Sequence, residues 1–283
     1  MERRPTRMEL RGAVVVVTGA SRGIGRATGE LLAARGARVV GVARDAAALD
    51  RLDAATGGAS LVADVADPAA ADRIVEHTLR RYGRLDGVVV NAGLGHTGDV
   101  AEMPPARIAE LVDVNLRAAL LLARASLPAL RARPPGSGDR PDGRRGGRRH
   151  GRRGGERHGQ RGGIVFVGSI AGAVGVPGES VYSATKAGLA CFAELLREEL
   201  RADRIGVSTV LPGVVTTDLL LSRGVPYTRR FPRPMPPERA AAAVVHALQA
   251  GTPQVFVPRW LAVPARLAGT APGLYRLLAR HFG

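Results

Sequence analysis

The run Ala13-Val-Val-Val-Val17 leads straight into Thr18-Gly-Ala-Ser-Arg-Gly-Ile-Gly25, and a helical stretch then continues to Ala34. An unbroken β-branched run is the pattern of a strand buried on both faces. Such a strand needs helices above and below it, which few architectures supply. Glycines at 19, 23 and 25 permit a tight turn and bring the backbone close to whatever sits there. The helix that follows offers free N–H groups and the positive end of its dipole, which together suit a pyrophosphate. Gly19, Ser21, Arg22, Gly23, Ile24 and Gly25 are therefore candidate cofactor-binding residues.

The rest of the chain repeats the alternation. Strands are predicted at Arg38–Ala43, Ser60–Ala63, Gly87–Asn91, Gly163–Gly168, Ile205–Val210 and Gln254–Val257. Helices are predicted between them. One starts at Asp67-Pro68 and stops at Gly83, with Asp67 as its N-cap. A long one runs from Pro105 to Arg133, with a break near Val112–Asn115. Another carries Tyr182 and Lys186, and one spans Pro237–Ala250. Strands alternating with helices imply an α/β fold, a doubly wound, mostly parallel seven-stranded Rossmann-type sheet with helices on both faces. Residues 12–258 form one catalytic domain in this reading, preceded by a flexible tail at 1–11.

Two stretches depart from the pattern. Pro134–Arg161 holds nine Arg, three acidic residues and no large apolar side chain, so it carries +6 of the chain's +16. Nothing in it can offset the entropy of ordering, and a disordered insertion is predicted. It joins a helix end to a strand start, away from the carboxyl edge where ligands bind. An Arg-rich segment could recruit RNA or a membrane, which makes a cofactor-binding regulator the alternative reading. The lack of interleaved aromatics argues against nucleic acid. Residues 259–283 mix Trp260, Leu267, Leu274, Tyr275 and Leu278 with Arg259, Arg266 and Arg276, and Pro264 and Pro272 divide them into short helices. This extension is expected to pack on its own domain or on a partner subunit, with peripheral membrane contact as the alternative. Between Asp218 and Pro236 an aperiodic apolar segment follows a strand's carboxyl end, as a substrate lid would.

The single cysteine, Cys191, excludes an intrachain disulfide and fits a reducing compartment. It is read as a buried small hydrophobe. Ala13–Val17 is too short for a secretory signal, so a cytoplasmic location is expected. No metal site is predicted. At the end of the second strand stands Arg44, followed by Asp45. An Arg there accommodates a 2′-phosphate and an acid binds a ribose hydroxyl. Arg44 and Arg22 point to NADP, while Asp45 keeps NAD open.

Lys186 is the only lysine among 41 basic residues, and it lies four positions after Tyr182. On a helix the two side chains share a face. An ammonium is a compact point charge that a planar guanidinium cannot replace.

Thr18-Gly-x-x-x-Gly-x-Gly25, Asp64-Val65, Asn91-Ala-Gly93, Asn115, Ser169, Tyr182-x-x-x-Lys186 and Leu211-Pro-Gly213 occur in this order. In this the chain resembles the short-chain dehydrogenase/reductase family over roughly residues 10–258, the insertion apart. Ser169 stands thirteen residues before Tyr182, as in that family, while Val90 occupies a place where the family often has a second Asn. The resemblance implies a hydride transfer between a nicotinamide cofactor and an alcohol or ketone. It implies Tyr182 as general acid/base, supported electrostatically by Lys186, which also holds the nicotinamide ribose. It implies Ser169 as hydrogen-bond partner of the substrate oxygen and Asn115 as holder of a water in a proton path. Asp64 and Val65 would meet the adenine, and Asn91, Ala92 and Gly93 would line the adenosine side. Pro212, Gly213, Val215 and Thr217 would meet the nicotinamide end. A homodimer or homotetramer is also implied. The lone lysine yields a first test: Lys186→Arg keeps the charge and should still lose most turnover, about a hundredfold or more. Near-normal steady-state activity would refute the reading.

Overall fold

The computed structural model describes residues 7–132, 160–221, 227 and 232–282. Its elements follow the predicted alternation. The amino-terminal half runs β1 (Val14–Thr18), α1 (Gly23–Ala34), β2 (Arg38–Ala43), α2 (Ala46–Thr56), β3 (Leu61–Val62), α3 (Ala70–Tyr82) and β4 (Gly87–Val90). Then come α4 (Pro105–Val112), a π-helical turn (Asp113–Arg117), α5 (Ala118–Ala132), β5 (Gly162–Val167), α6 (Ile170–Val174) and α7 (Ser180–Glu199). The chain continues through β6 (Ile205–Pro212), α8 (Asp218–Leu221), α9 (Pro237–Ala250) and β7 (Gln254–Val257). A 3₁₀ turn (Arg259–Leu261), α10 (Ala262–Thr270) and α11 (Pro272–Phe282) follow.

The seven strands form one parallel sheet in the order β3-β2-β1-β4-β5-β6-β7. All five residues of β1 are buried, as its valine run requires. Val15 and Val17 enter a core with Leu32 of α1, Leu52 of α2 and Val245 of α9. Val14 and Val16 enter the opposite core with Ile74 of α3, Leu122 of α5 and Leu189 of α7. Successive side chains of a strand point to opposite faces, so one apolar run feeds both layers. The order reverses between β1 and β4. There the two following connections leave on opposite sides, opening a crevice at the strands' carboxyl ends.

Several local readings change. Asp67 does not cap α3. It accepts from Ala69 N–H at 2.9 Å in a turn, and α3 begins at Ala70. The competing side-chain turn explains the shift, because an Asp two residues before a free N–H closes its own short ring. Cys191 is exposed rather than buried. The inward face of α7 is set by Lys186, Leu189, Ala193 and Leu196, and residue 191 falls off that face. Pro264 does not divide the tail. It lies in the first turn of α10, where its missing N–H is not needed. The predicted break near Asn115 is the π-helical turn. Of the predicted disordered insertion, residues 134–159 lie outside the described residues, whereas Gln160 and Arg161 are placed just before β5, Gln160 Nε2 donating to Gly162 O at 2.8 Å and Arg161 N–H to Arg204 O at 3.0 Å. The described ends on either side, Ala132 and Gln160, stand before β5, at the end of the sheet opposite Ser169. Residues 222–226 and 228–231 of the predicted lid, 218–236, also lie outside the described residues. Its two ends are tied by a short bridge, in which Thr216 N–H donates to Met235 O at 2.9 Å and Met235 N–H donates to Val214 O at 2.9 Å.

At the opposite end of the sheet, Asp86 is fully buried just before β4. Its carboxylate accepts from Val14 N–H at 2.8 Å and from two Arg84 nitrogens at 2.9 and 2.8 Å. Removing it strands a buried N–H of β1 and half of an ion pair. Asp86→Ala should therefore lower stability by about 3 kcal/mol. A urea titration would check this, and a loss under ~1 kcal/mol would mean that the clamp contributes little.

Candidate active site

The site begins where β1 and β4 part. The Thr18 hydroxyl is buried and accepts from Asn91 N–H at 3.0 Å and Ala92 N–H at 3.1 Å. The Asn91 amide returns a bond to Thr18 O at 2.8 Å. Gly19 takes the left-handed conformation at φ +65°, and a Cβ on Gly25 would lie 2.1 Å from Gly19 O. Only glycine lets α1 approach the turn so closely. Asn91 is thus a structural rivet of the crevice as well as part of its lining.

The second half comes from β5 and its two successors. Ser169 leaves β5 in extended conformation and caps α6, its Oγ accepting from Ala171 N–H at 3.1 Å. One lone pair is so occupied, which leaves the hydroxyl proton free to be given to a ligand oxygen. A Cβ on Gly172 of α6 would lie 2.6 Å from the backbone of Lys186, so α6 and α7 touch main chain to main chain. This contact brings Ser169 toward α7, which carries half-buried Tyr182 and buried Lys186 on one face. The Lys186 ammonium lies 5.9 Å from the Tyr182 ring centre and donates to Val167 O at 3.1 Å. Burial pushes its pKa from 10.5 down to about 8, so it remains largely protonated at neutral pH.

Asn115 sits in the π-helical turn with 1% exposure. Its Oδ1 accepts from Leu94 N–H at 2.7 Å, and its Nδ2 donates to Leu94 O at 2.9 Å and to Thr185 Oγ1 at 3.2 Å. The extra residue of a π turn redirects a side chain, and here it aims Asn115 between the loop after β4 and α7. At the other end of the crevice Asp45 caps α2, accepting from Ala48 N–H at 3.0 Å. Arg44 lies 3.6 Å from Asp64, and both are exposed.

These residues share one cleft of about 2260 Å³, well above the roughly 300–1,000 Å³ of a pocket for one small ligand. Gly19, Ser21, Arg22, Gly23, Ile24 and Arg44 line it, as do Asp64, Val65, Asn91, Ala92 and Gly93. So do Ser169, Tyr182, Lys186, Pro212, Gly213, Val215 and Thr217. Gly25 and Asn115 stand behind the wall and hold it in place. Reading the sequence missed two groups. Leu94–Thr97, Arg107 and Glu110 line the cleft after β4, where position at a strand's carboxyl end was the available signal. Trp260, Leu267, Tyr275 and Leu278 reach it from the C-terminal extension, and no local pattern indicated that.

A glycine cradle at a helix N-terminus and a Tyr–Lys–Ser cluster in one crevice of a doubly wound sheet are the features of a nicotinamide-dependent oxidoreductase. The chain belongs to the short-chain dehydrogenase family, whose sequence model matches residues 13–137 and 156–224. The gap between these spans falls within the Arg-rich insertion. The chain is 32% identical over 214 residues to the 3-oxoacyl-(acyl-carrier-protein) reductase FabG of Escherichia coli, covering 75% of this chain and 77% of that protein. It is 31% identical over 281 residues to an uncharacterized oxidoreductase of Myxococcus xanthus, covering 96% of this chain and 98% of that one. The crystal structure of a 3-ketoacyl-(acyl-carrier-protein) reductase from Brucella melitensis, complexed with NADH, superposes with a TM-score of 0.74 at 25% identity, covering 88% of this chain and 97% of that one.

The buried ammonium has a stability consequence. A pKa lowered from 10.5 to about 8 means that the charge costs the folded state roughly 3 kcal/mol at pH 7. The penalty is complete below pH 8 and fades as the pH rises toward 10.5, where the unfolded chain holds a proton that the folded one has released. Lys186→Met should thus be inactive yet about 1–3 kcal/mol more stable at neutral pH, with the gap closing in alkali. Urea denaturation of both proteins at neutral and alkaline pH tests this. A less stable Met variant at pH 7 would show that the ammonium is well solvated or paired.

Proposed function

We propose that this chain is an NADP-preferring oxidoreductase that interconverts a hydroxyl and a carbonyl on an apolar substrate, with Tyr182 moving the proton. The observation that carries the reading is the shared cleft: Tyr182, Lys186 and Ser169 face the same space as the glycine turn. The residues fit the cofactor. The turn has no room for side chains at Gly19 and Gly25, and its helix end offers N–H donors to phosphate. When bound there, the nicotinamide supplies or accepts the hydride.

The protein's share is proton and charge handling. A free tyrosine has a pKa of about 10, too high for a base at neutral pH. The Lys186 ammonium favours the phenolate and so eases proton transfer at Tyr182 Oη. The Ser169 hydroxyl, capped from one side by Ala171, donates to the same substrate oxygen and holds it against Tyr182. Both amide hydrogens of Asn115 are occupied by Leu94 and Thr185, so a water it holds must act as donor to it. Such a water would continue the proton path from Lys186.

Four arginines, Arg22, Arg26, Arg44 and Arg51, line the end of the cleft beyond the glycine turn, with Arg22, Arg26 and Arg44 in exposed ion pairs with Asp218, Glu30 and Asp64. Asp45 lines the same end with one carboxylate oxygen engaged as the cap of α2, which leaves the arginines as the groups best placed for a phosphate. This supports NADP, through pairing of a 2′-phosphate with arginine. The C-terminal extension supports an apolar substrate. A homo-oligomer in the cytoplasm is the setting we assign to it.

Two measurements test the reading together. Carbonyl compounds assayed at the nicotinamide absorbance should be reduced with a kcat/KM at least ~10-fold higher for NADPH than for NADH, and Arg44→Asp should narrow or reverse that ratio. Tyr182→Phe should bind NADPH normally and lose about a thousandfold or more in kcat. Substantial turnover by the Phe variant would remove Tyr182 from the mechanism.

A further inference from the structure

After β7 the chain could have ended, since the sheet is complete at Val257. Instead α10 packs against α6, and α11 packs against α10. Ser169 is the N-cap of α6. The extension is therefore one helix away from the residue that faces the reacting oxygen. Trp260, Val263, Leu267, Tyr275 and Leu278 line the cleft from this side, and Val174 of α6 meets them from the body.

The pair is unusual in its burial. α10 contains no fully buried residue, although it carries Val263 and Leu267. Val263 is 69% exposed and Leu278 39% exposed. By contrast α9, a helix of the body, buries Ala240, Val244, Val245 and Leu248. Apolar side chains that line a cleft and remain partly open gain when an apolar ligand covers them. The cleft is also larger than one cofactor-sized ligand would need on its glycine-turn side.

We infer that α10 and α11 form a binding wall for the hydrocarbon part of the substrate, and that this wall discriminates chain length. The substrate class is an aliphatic carbonyl compound whose oxygen lies at Ser169 and Tyr182 and whose chain runs along Trp260, Leu267 and Leu278. The inference rests on the carbonyl–hydroxyl reading of the site for its orientation. Its binding part stands on the wall alone.

Trp260 is the only tryptophan of the chain, so its emission reports on this wall without any turnover. The full-length protein would be titrated with methyl ketones from butanone to 2-decanone. Dissociation constants should fall by roughly two- to fourfold for each added methylene. Leu267→Ser and Leu278→Ser should weaken 2-decanone by about tenfold and butanone by less than about twofold. Val263→Ser, at a position 69% exposed, should show the same bias to a smaller degree. NADPH affinity, read by energy transfer from Trp260, should not change. In turnover the wall variants should raise KM for long ketones while leaving kcat near that of the parent. A dissociation constant independent of chain length, no binding of any ketone, or equal losses for short and long ketones would overturn the inference. Chain-length-dependent binding with no turnover of any ketone would instead refute the proposed reaction and leave the wall in place.

Discussion

The bond between the Thr18 hydroxyl and the amides of Asn91 and Ala92 holds the whole site open. It fastens the ends of β1 and β4 at the one place where the sheet reverses its winding. The cleft opens there and extends over the ends of β5 and β6. Gly25 completes the junction by letting α1 start almost in contact with Gly19. A side chain larger than hydrogen at residue 25 would push the helix end away from the phosphate position. The chemistry then depends on a second close contact, between Gly172 and the backbone at Lys186. That contact sets the spacing between the serine delivered by β5 and the tyrosine delivered by α7.

The energetic character of the two halves differs. The cofactor half is built from neutral backbone and exposed arginines, where charge is inexpensive and screened. The catalytic half buries an ammonium against a carbonyl and an aromatic ring. Burial lowers the pKa of that lysine, and in the proposed mechanism the same desolvation would sharpen its field at the phenol. The Asp86 clamp and two apolar layers stand against the cost of that buried charge.

Much of this was legible from local patterns. The valine run of β1, the glycine turn, the exact spans of β2, α9 and β7, and the Tyr182–Lys186 spacing all reflect interactions within a few residues. The errors had the same local origin. Asp67 carries both a cap signal and a turn signal, and the turn won. Cys191 was assigned to a core because its neighbours are apolar, but the face of α7 is fixed by packing against other elements. Short α6 escaped notice because a five-residue helix has too little periodicity to register.

By itself the sequence determined the layered α/β class and the position of the cofactor turn, and it singled out Tyr182 and Lys186 by their spacing, while Ser169 and Asn115 were indicated only by the motif order of the family that the chain resembles. Tertiary structure decided what needed distance. It put Asp45 at a helix cap and set Arg44 beside Asp64, residues 20 positions apart. It spent the amide hydrogens of Asn115 on Leu94 and Thr185, residues 21 and 70 positions away. It also folded the C-terminal helices back over the cleft. Those contacts join parts of the chain that no local pattern links, and only the closing of the sheet brings them together.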